Sequence, residues 1–98
     1  MSVTKEVKTI SLPERFDFSY NRTFSQQYQS IFEEAEAVGK IVLDFSRVRY
    51  LDSSALGMMV LLQKRAKELH IVVAVKSAQS TAAEILKMAN FQKLYEFE

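Results

Sequence analysis

The fold of this chain is decided by the stretch Lys40-Ile41-Val42-Leu43-Asp44-Phe45. Its apolar residues are nearly continuous and partly β-branched, which is typical of a short strand covered on both faces. A second run of the same kind, Ile71-Val72-Val73-Ala74-Val75, occurs further along the chain. Two such strands indicate a sheet with helices packed against it.

Three helices are predicted around these strands. Apolar residues at three- and four-residue steps predict a first helix over 21–37, capped by Ser19 or Asn21 and ended by Gly39. A second helix is predicted over 53–69. Thr81-Ala82-Ala83-Glu84 is a capping box and predicts the start of a third helix.

Extended segments complete the predicted order of elements. Residues 3–12 and 94–97 alternate between apolar and polar side chains, and the second of these is expected at a sheet edge. Strands and helices therefore alternate along the chain, and crossovers of this length favour one sheet. The prediction is an α/β fold with a mixed sheet of four to five strands and about three helices packed against it.

Length and composition restrict the classes of function. The 98 residues predict a single domain, residues 1–98, with a modest core and little room for an enclosed active site. The net charge of +1 predicts no general affinity for nucleic acid or for an anionic membrane. Without cysteine there is no thiolate chemistry, and neither a metal nor a cofactor is expected. The N-terminus lacks the apolar core of a signal peptide, so a cytoplasmic protein is predicted.

The turn Asp52-Ser53-Ser54 opens the second helix just beyond the first buried strand. In α/β sheets, ligands and partners bind at such strand ends. Helix capping explains these residue types at least as well, because Asp and Ser are preferred caps. A helix N-terminus also tolerates an added phosphate, since it presents unpaired N–H groups and a positive dipole end. Both interpretations stay open for the three residues taken alone.

The second helix carries more apolar residues than one buried face requires. Met58 and Leu61 fall outside the predicted inward-facing set, so we expect an apolar surface patch beside Ser53, unless they pack under a neighbouring loop. Gly57 is costly at an exposed helix position. Either another chain approaches it closely, or it packs tightly on the sheet of its own domain. The inward-facing set predicted from the periodicity is Leu56, Met59, Val60, Leu62, Ala66 and Leu69.

The segment from Ile41 to Gly57 closely resembles the signature of STAS domains, in particular those of bacterial anti-sigma factor antagonists. That signature is an apolar strand ending in Asp-apolar-Ser, then Val-x-Tyr, an apolar residue, and Asp-Ser-Ser/Thr-Gly-Leu-Gly. The length and order of elements of the remaining chain agree with the family. The one clear departure is Ala55, where glycine is commoner, and it bears on how closely a partner backbone can approach.

The resemblance implies a phosphorylation switch at Ser53, flanked by Asp52 and Ser54. The unphosphorylated form would bind a serine kinase that is also an anti-sigma factor, of the histidine-kinase-like ATPase fold, and would thereby release its sigma factor. Phosphorylation of Ser53 would block this binding, and a PP2C-type phosphatase would reset the cycle. The free chain is expected to be a monomer. Together, resemblance and patch predict the partner-binding residues Asp17, Asp52, Ser53, Ser54, Ala55, Gly57, Met58 and Leu61.

Two other functions remain possible for a chain of this kind. One is a STAS subunit of a membrane lipid ABC transporter, a constant partner of an ATPase that needs no phosphate. The other is a partner-switch regulator of a signalling enzyme rather than of a sigma factor. An enzyme is not expected, because Asp44, Asp52 and Ser53 have no histidine or lysine base nearby in the sequence and no Gly-rich loop is present.

Overall fold

The computed structural model of the protein describes residues 5–98. Strands and helices alternate through this range, and short 3₁₀ turns occur at Phe18–Tyr20, Ala35–Ala37 and Phe91–Lys93. The elements in chain order are β1 (Glu6–Ser11), β2 (Arg15–Phe16), α1 (Asn21–Phe32), β3 (Val38–Asp44), β4 (Tyr50–Leu51), α2 (Ser53–Glu68), β5 (Val72–Lys76), α3 (Ser80–Met88) and β6 (Glu96–Phe97).

The main sheet has the strand order β1-β3-β5-β6, and each neighbouring pair is parallel. The predicted α/β fold is confirmed, with four strands in this sheet and three α-helices. The sheet is parallel rather than mixed, because each of its successive strands is reached through a helix that returns the chain to the same end. The last strand lies at an edge, as predicted. Of the first predicted segment, Val3 and Thr4 lie outside the described residues.

The core forms around β3, whose residues Ile41 and Leu43 are completely buried. An aromatic cluster extends it: the ring centroid of Phe16 lies 5.3 Å from that of Phe24 and 6.2 Å from that of Phe45. Aromatic pairs at such distances contribute about 0.5–1.5 kcal/mol each beyond burial of their area. Phe16 therefore anchors the short strand β2 to the main core.

The second sheet consists of β2 and β4 alone, paired in parallel with Arg15 opposite Tyr50 and Phe16 opposite Leu51. Strands of two residues are too short to give a periodic pattern, so this sheet was absent from the sequence prediction. Its effect is to fix the chain before α1 next to the chain that enters α2.

The first helix is shorter than predicted. It ends at Phe32, a separate 3₁₀ turn follows at Ala35–Ala37, and Gly39 lies within β3. Gly39 therefore does not end the helix. A Cβ atom at this position would lie 3.0 Å from the Cβ of Lys5, so glycine allows close packing of the chain beside β1.

The predicted caps of the first and third helices are wrong. Tyr20 precedes α1 without a side-chain cap, because the chain is already helical in the preceding 3₁₀ turn. Neither Ser19 nor Asn21 fills that position. The third helix begins at Ser80 after Gln79, so Thr81 lies inside its first turn.

Candidate functional site at the start of the second helix

Asp52 caps α2, so neither Ser53 nor Ser54 serves as the cap. The backbone of Asp52 is extended (φ −113°, ψ 179°), and its Oδ1 accepts a hydrogen bond from the backbone N–H of Ala55 at 2.9 Å. This is the N-cap arrangement that stabilises a helix start. Ser53 and Ser54 occupy the first turn with exposed side chains. Capping of the helix therefore does not occupy the side chain of Ser53 or Ser54.

The second sheet brings the predicted contact residue Asp17 beside this turn. Because Phe16 pairs with Leu51, the residues that follow them, Asp17 and Asp52, leave adjacent strands at the same end. Neighbouring strands in a sheet lie about 4.8 Å apart. The structure thus places Asp17, Asp52 and Ser53 in one region of the surface.

Asp17 also has a structural task of its own. It caps the turn Phe18–Tyr20 by accepting hydrogen bonds from the backbone N–H and the hydroxyl of Ser19, and it accepts a bond from Arg15 Nε at 2.7 Å. The Ser19 hydroxyl, followed by Arg15, holds the pKa of the Asp17 carboxyl below its usual value. Asp17 is therefore an ionised cap, and its role in partner contact stays a prediction.

Gly57 faces open space one turn into α2. Apart from its two chain neighbours and the nearby backbone of the helix itself, no described atom lies within 4 Å of the position that a Cβ atom would take. Tight packing against the domain's own sheet is therefore wrong as the explanation of this glycine. The packing of the described part of the domain does not require it, although glycine lowers helix stability.

The buried side of α2 agrees only in part with the prediction. Met59, Leu62 and Ala66 are buried as predicted, whereas Ala55 and Met58 are buried in place of Leu56 and Val60. The buried stripe consists of Ala55, Met58, Met59, Leu62 and Ala66. Met58, predicted to be exposed, is only 9% exposed, and the side chain of Ala55 is fully buried, so neither forms part of the surface that a partner would meet. Leu69, predicted to be buried, follows the helix and is 41% exposed.

The surface patch beside Ser53 therefore has other members. Leu61 is 46% exposed as predicted, and Leu56 and Val60, predicted to be buried, are partly exposed. These three residues follow Ser53 by three, seven and eight positions. They therefore lie with Ser53 and Gly57 on one side of the helix. We call Leu56, Gly57, Val60 and Leu61 the α2 patch.

Two other kinds of site are absent from the described residues. Within 5–98, no three His, Asp or Glu side chains come together as a potential set of metal ligands. In the same range, no helix has the length and apolar character to cross a membrane.

The comparison with protein families decides the assignment. A model described as "Mlab, STAS domain" matches residues 1–96. The chain belongs to the STAS domain family. A STAS-domain containing protein of Pseudomonas aeruginosa (strain UCBPP-PA14) is 32% identical to it over 87 residues, which are 89% of this chain and 83% of that protein. The resemblance to STAS domains found in the segment from Ile41 to Gly57 is thus confirmed.

Solved structures share the STAS fold of this chain. A sulfate transporter family protein from Wolinella succinogenes has a TM-score of 0.80 at 15% identity, over 99% of this chain and 80% of that one. The anti-sigma factor antagonist SpoIIAA, unphosphorylated, has a TM-score of 0.72 at 18% identity, over 100% and 84% of the two chains. SpoIIAA in its phosphorylated form, described as a Bacillus cell fate determinant, has a TM-score of 0.71 at 18% identity, over 100% and 87%.

Proposed function

We propose that this STAS domain is an anti-sigma factor antagonist controlled by phosphorylation of Ser53. The main support for the proposal is that the helix cap and the exposed serine are different residues of the turn. Asp52 caps α2, so the exposed side chain of Ser53 is available to a kinase without loss of the cap. The α2 patch lies on the same side of the helix as Ser53 and offers apolar surface for a partner.

In the unphosphorylated state, a cytoplasmic serine kinase that is also an anti-sigma factor, of the histidine-kinase-like ATPase fold, binds this surface and releases its sigma factor. Gly57 lets the partner approach the helix closely, because no side chain projects from it. The kinase transfers the γ-phosphoryl group of ATP to the Ser53 hydroxyl oxygen, and ADP leaves. A PP2C-type phosphatase hydrolyses the ester and resets the cycle. The domain, residues 1–98, acts by binding and not by catalysis.

Phosphorylation blocks the partner through local charge. A phosphoserine carries nearly two negative charges at neutral pH, and here it stands beside the carboxylates of Asp52 and Asp17. A partner surface that fits the neutral turn then meets an excess of negative charge, which must be desolvated on binding. SpoIIAA shares this fold in its unphosphorylated and its phosphorylated form, with TM-scores of 0.72 and 0.71, which is compatible with a switch that does not refold the domain.

A second candidate is a constant subunit of a membrane lipid ABC transporter. The sulfate transporter family protein of like fold is compatible with it. In this role the chain binds an ATPase whether or not Ser53 is phosphorylated. A partner switch that acts on a signalling enzyme would use Ser53 in the same way as the leading proposal and differ only in the target.

The test compares two adjacent exposed serines. The chain is incubated with ATP and the serine kinase that co-purifies with the Ser53→Ala protein, and the phosphate is located by mass spectrometry. We expect one phosphate per chain, on Ser53 in the wild type and in Ser54→Ala, and none in Ser53→Ala. Phosphate on the Ser53→Ala protein would contradict the proposal. An ABC-type ATPase that co-purifies equally with Ser53→Ala and Ser53→Asp would favour the transporter subunit.

A further inference from the structure

The exposed face of the β2–β4 sheet leads directly to Ser53. Phe16 and Leu51 are buried on one face, so Arg15 and Tyr50 lie on the other, where both are exposed. Side chains alternate along a strand. Asp17 and Asp52, two residues beyond Arg15 and Tyr50, continue this face, and Ser53 is next to Asp52.

The guanidinium group of Arg15 lies over this face. Its central carbon is 4.2 Å from the centroid of the Tyr50 ring, and its Nε donates a hydrogen bond to Asp17 Oδ2 at 2.7 Å. The side chain therefore extends along the sheet toward the end at which α2 begins. Its exposed fraction is 68%, which leaves it free to change rotamer. The bond to Asp17 uses one of the five N–H donors of the guanidinium group.

We propose that Arg15 binds the phosphate group when Ser53 is phosphorylated. The inference rests on Ser53 being the residue that carries the phosphate. A phosphate dianion is a stronger acceptor than the single carboxylate that Arg15 bonds now, and the planar guanidinium matches two phosphate oxygens at once. Arg49, the other arginine beside this sheet, forms an ion pair with Glu14 at 3.5 Å and precedes the strand instead of facing its end.

The consequence is a switch that involves more than the modified residue. When Arg15 turns to the phosphate, Asp17 keeps its bonds from Ser19 but loses the guanidinium, and the face of the Tyr50 ring is uncovered. Asp17 and Tyr50 then differ between the two states as Ser53 does. A partner that contacts this face can therefore distinguish the two phosphorylation states at all three positions.

The test is a ³¹P NMR titration of chains with phosphoserine incorporated at position 53 during translation, so that no kinase is needed. Nearby carboxylates raise the second pKa of the phosphate, and a guanidinium about 4 Å away lowers it, by about 0.7 unit in bulk water and by more at a protein surface. We therefore expect this pKa to be higher by about 0.7 unit or more in Arg15→Gln than in the wild type. The matched control Arg49→Gln removes the same charge from the neighbouring ion pair and is expected to leave the pKa unchanged.

Equal pKa values in the wild type and Arg15→Gln would overturn the proposal. An equal rise of the pKa in Arg15→Gln and Arg49→Gln would also overturn it, because it would show only the general effect of removing one positive charge. Circular dichroism establishes that each variant is folded before it is titrated. The titration does not involve the partner. Its failure is therefore distinguishable from failure of the proposed function, which would appear as a phosphorylated chain that still binds its partner.

Discussion

At Gly57, the stability of the free helix favours a residue with a side chain, whereas the proposed partner binding favours glycine. The exposed position of Gly57 in α2, with open space where a Cβ atom would lie, gives the free domain no need for glycine. A helix gains stability when such a glycine is replaced by alanine. The proposed close approach of a partner would explain why a residue that weakens the helix occurs beside Ser53.

We predict that Gly57→Ala stabilises the free domain and weakens partner binding. The free energy of unfolding, measured by urea denaturation, should rise by about 0.5–1 kcal/mol because alanine has the higher helix propensity. The affinity for the partner, measured by calorimetry, should fall. Lys64→Ala, also exposed on α2 but two turns further on, is the control for a general change of the helix surface. Unchanged affinity in Gly57→Ala would contradict a close approach at this position.

At the scale of elements, long patterns were predictable from the sequence and short ones were not. The fully apolar runs identified β3 and β5, and the periodicity identified α2, whose predicted start at Ser53 is confirmed. The buried side of α2 was predicted only in part, because apolar side chains occur on both of its faces. The β2–β4 sheet, which places Asp17 beside Asp52, depends on contacts between distant residues that no local pattern encodes.

The connection between β3 and β4 is predicted to make stability depend on pH. Asp44 Oδ1 accepts a hydrogen bond from the backbone N–H of Ser46 at 2.9 Å, and this bond, ahead of the Ser46 hydroxyl, lowers the pKa of Asp44 from 3.8. A lowered folded-state pKa adds stability above the unfolded value, and this is lost as the pH falls through the folded value. The melting temperature should therefore drop between about pH 5 and about pH 3, and it should drop less in Asp44→Asn. Equal drops in the two proteins would show that Asp44 does not contribute.

At the scale of the whole molecule, the C-terminal segment is joined to α2 by one buried bond. The hydroxyl of Tyr95, a residue only 2% exposed, donates to the backbone oxygen of Met59 at 2.7 Å. Burial raises the pKa of this hydroxyl, so it remains a donor across the ordinary pH range. The helix that carries the α2 patch is thus held by residues from the far end of the chain.

We predict that Tyr95→Phe lowers the free energy of unfolding by about 1 kcal/mol, because the bond is lost while the ring remains packed. Urea denaturation measures the change. Tyr20→Phe is the matched control, since the hydroxyl of Tyr20 donates at 3.3 Å to Gln27 Oε1 in a less buried place. Tyr20→Phe should lower the free energy of unfolding by less than Tyr95→Phe. A loss in Tyr95→Phe no larger than in Tyr20→Phe would mean that the buried bond adds little.

Control of partner binding by phosphate on Ser53 is measured by the affinity of the purified partner kinase for the phosphorylated and unphosphorylated chains. Titration calorimetry should show tight binding of the unmodified chain and binding weaker by about 100-fold or more after phosphorylation of Ser53, as expected when added negative charge is brought into an interface. Treatment with a PP2C-type phosphatase should restore the first value. Equal dissociation constants for the phosphorylated and unphosphorylated chains would contradict the account.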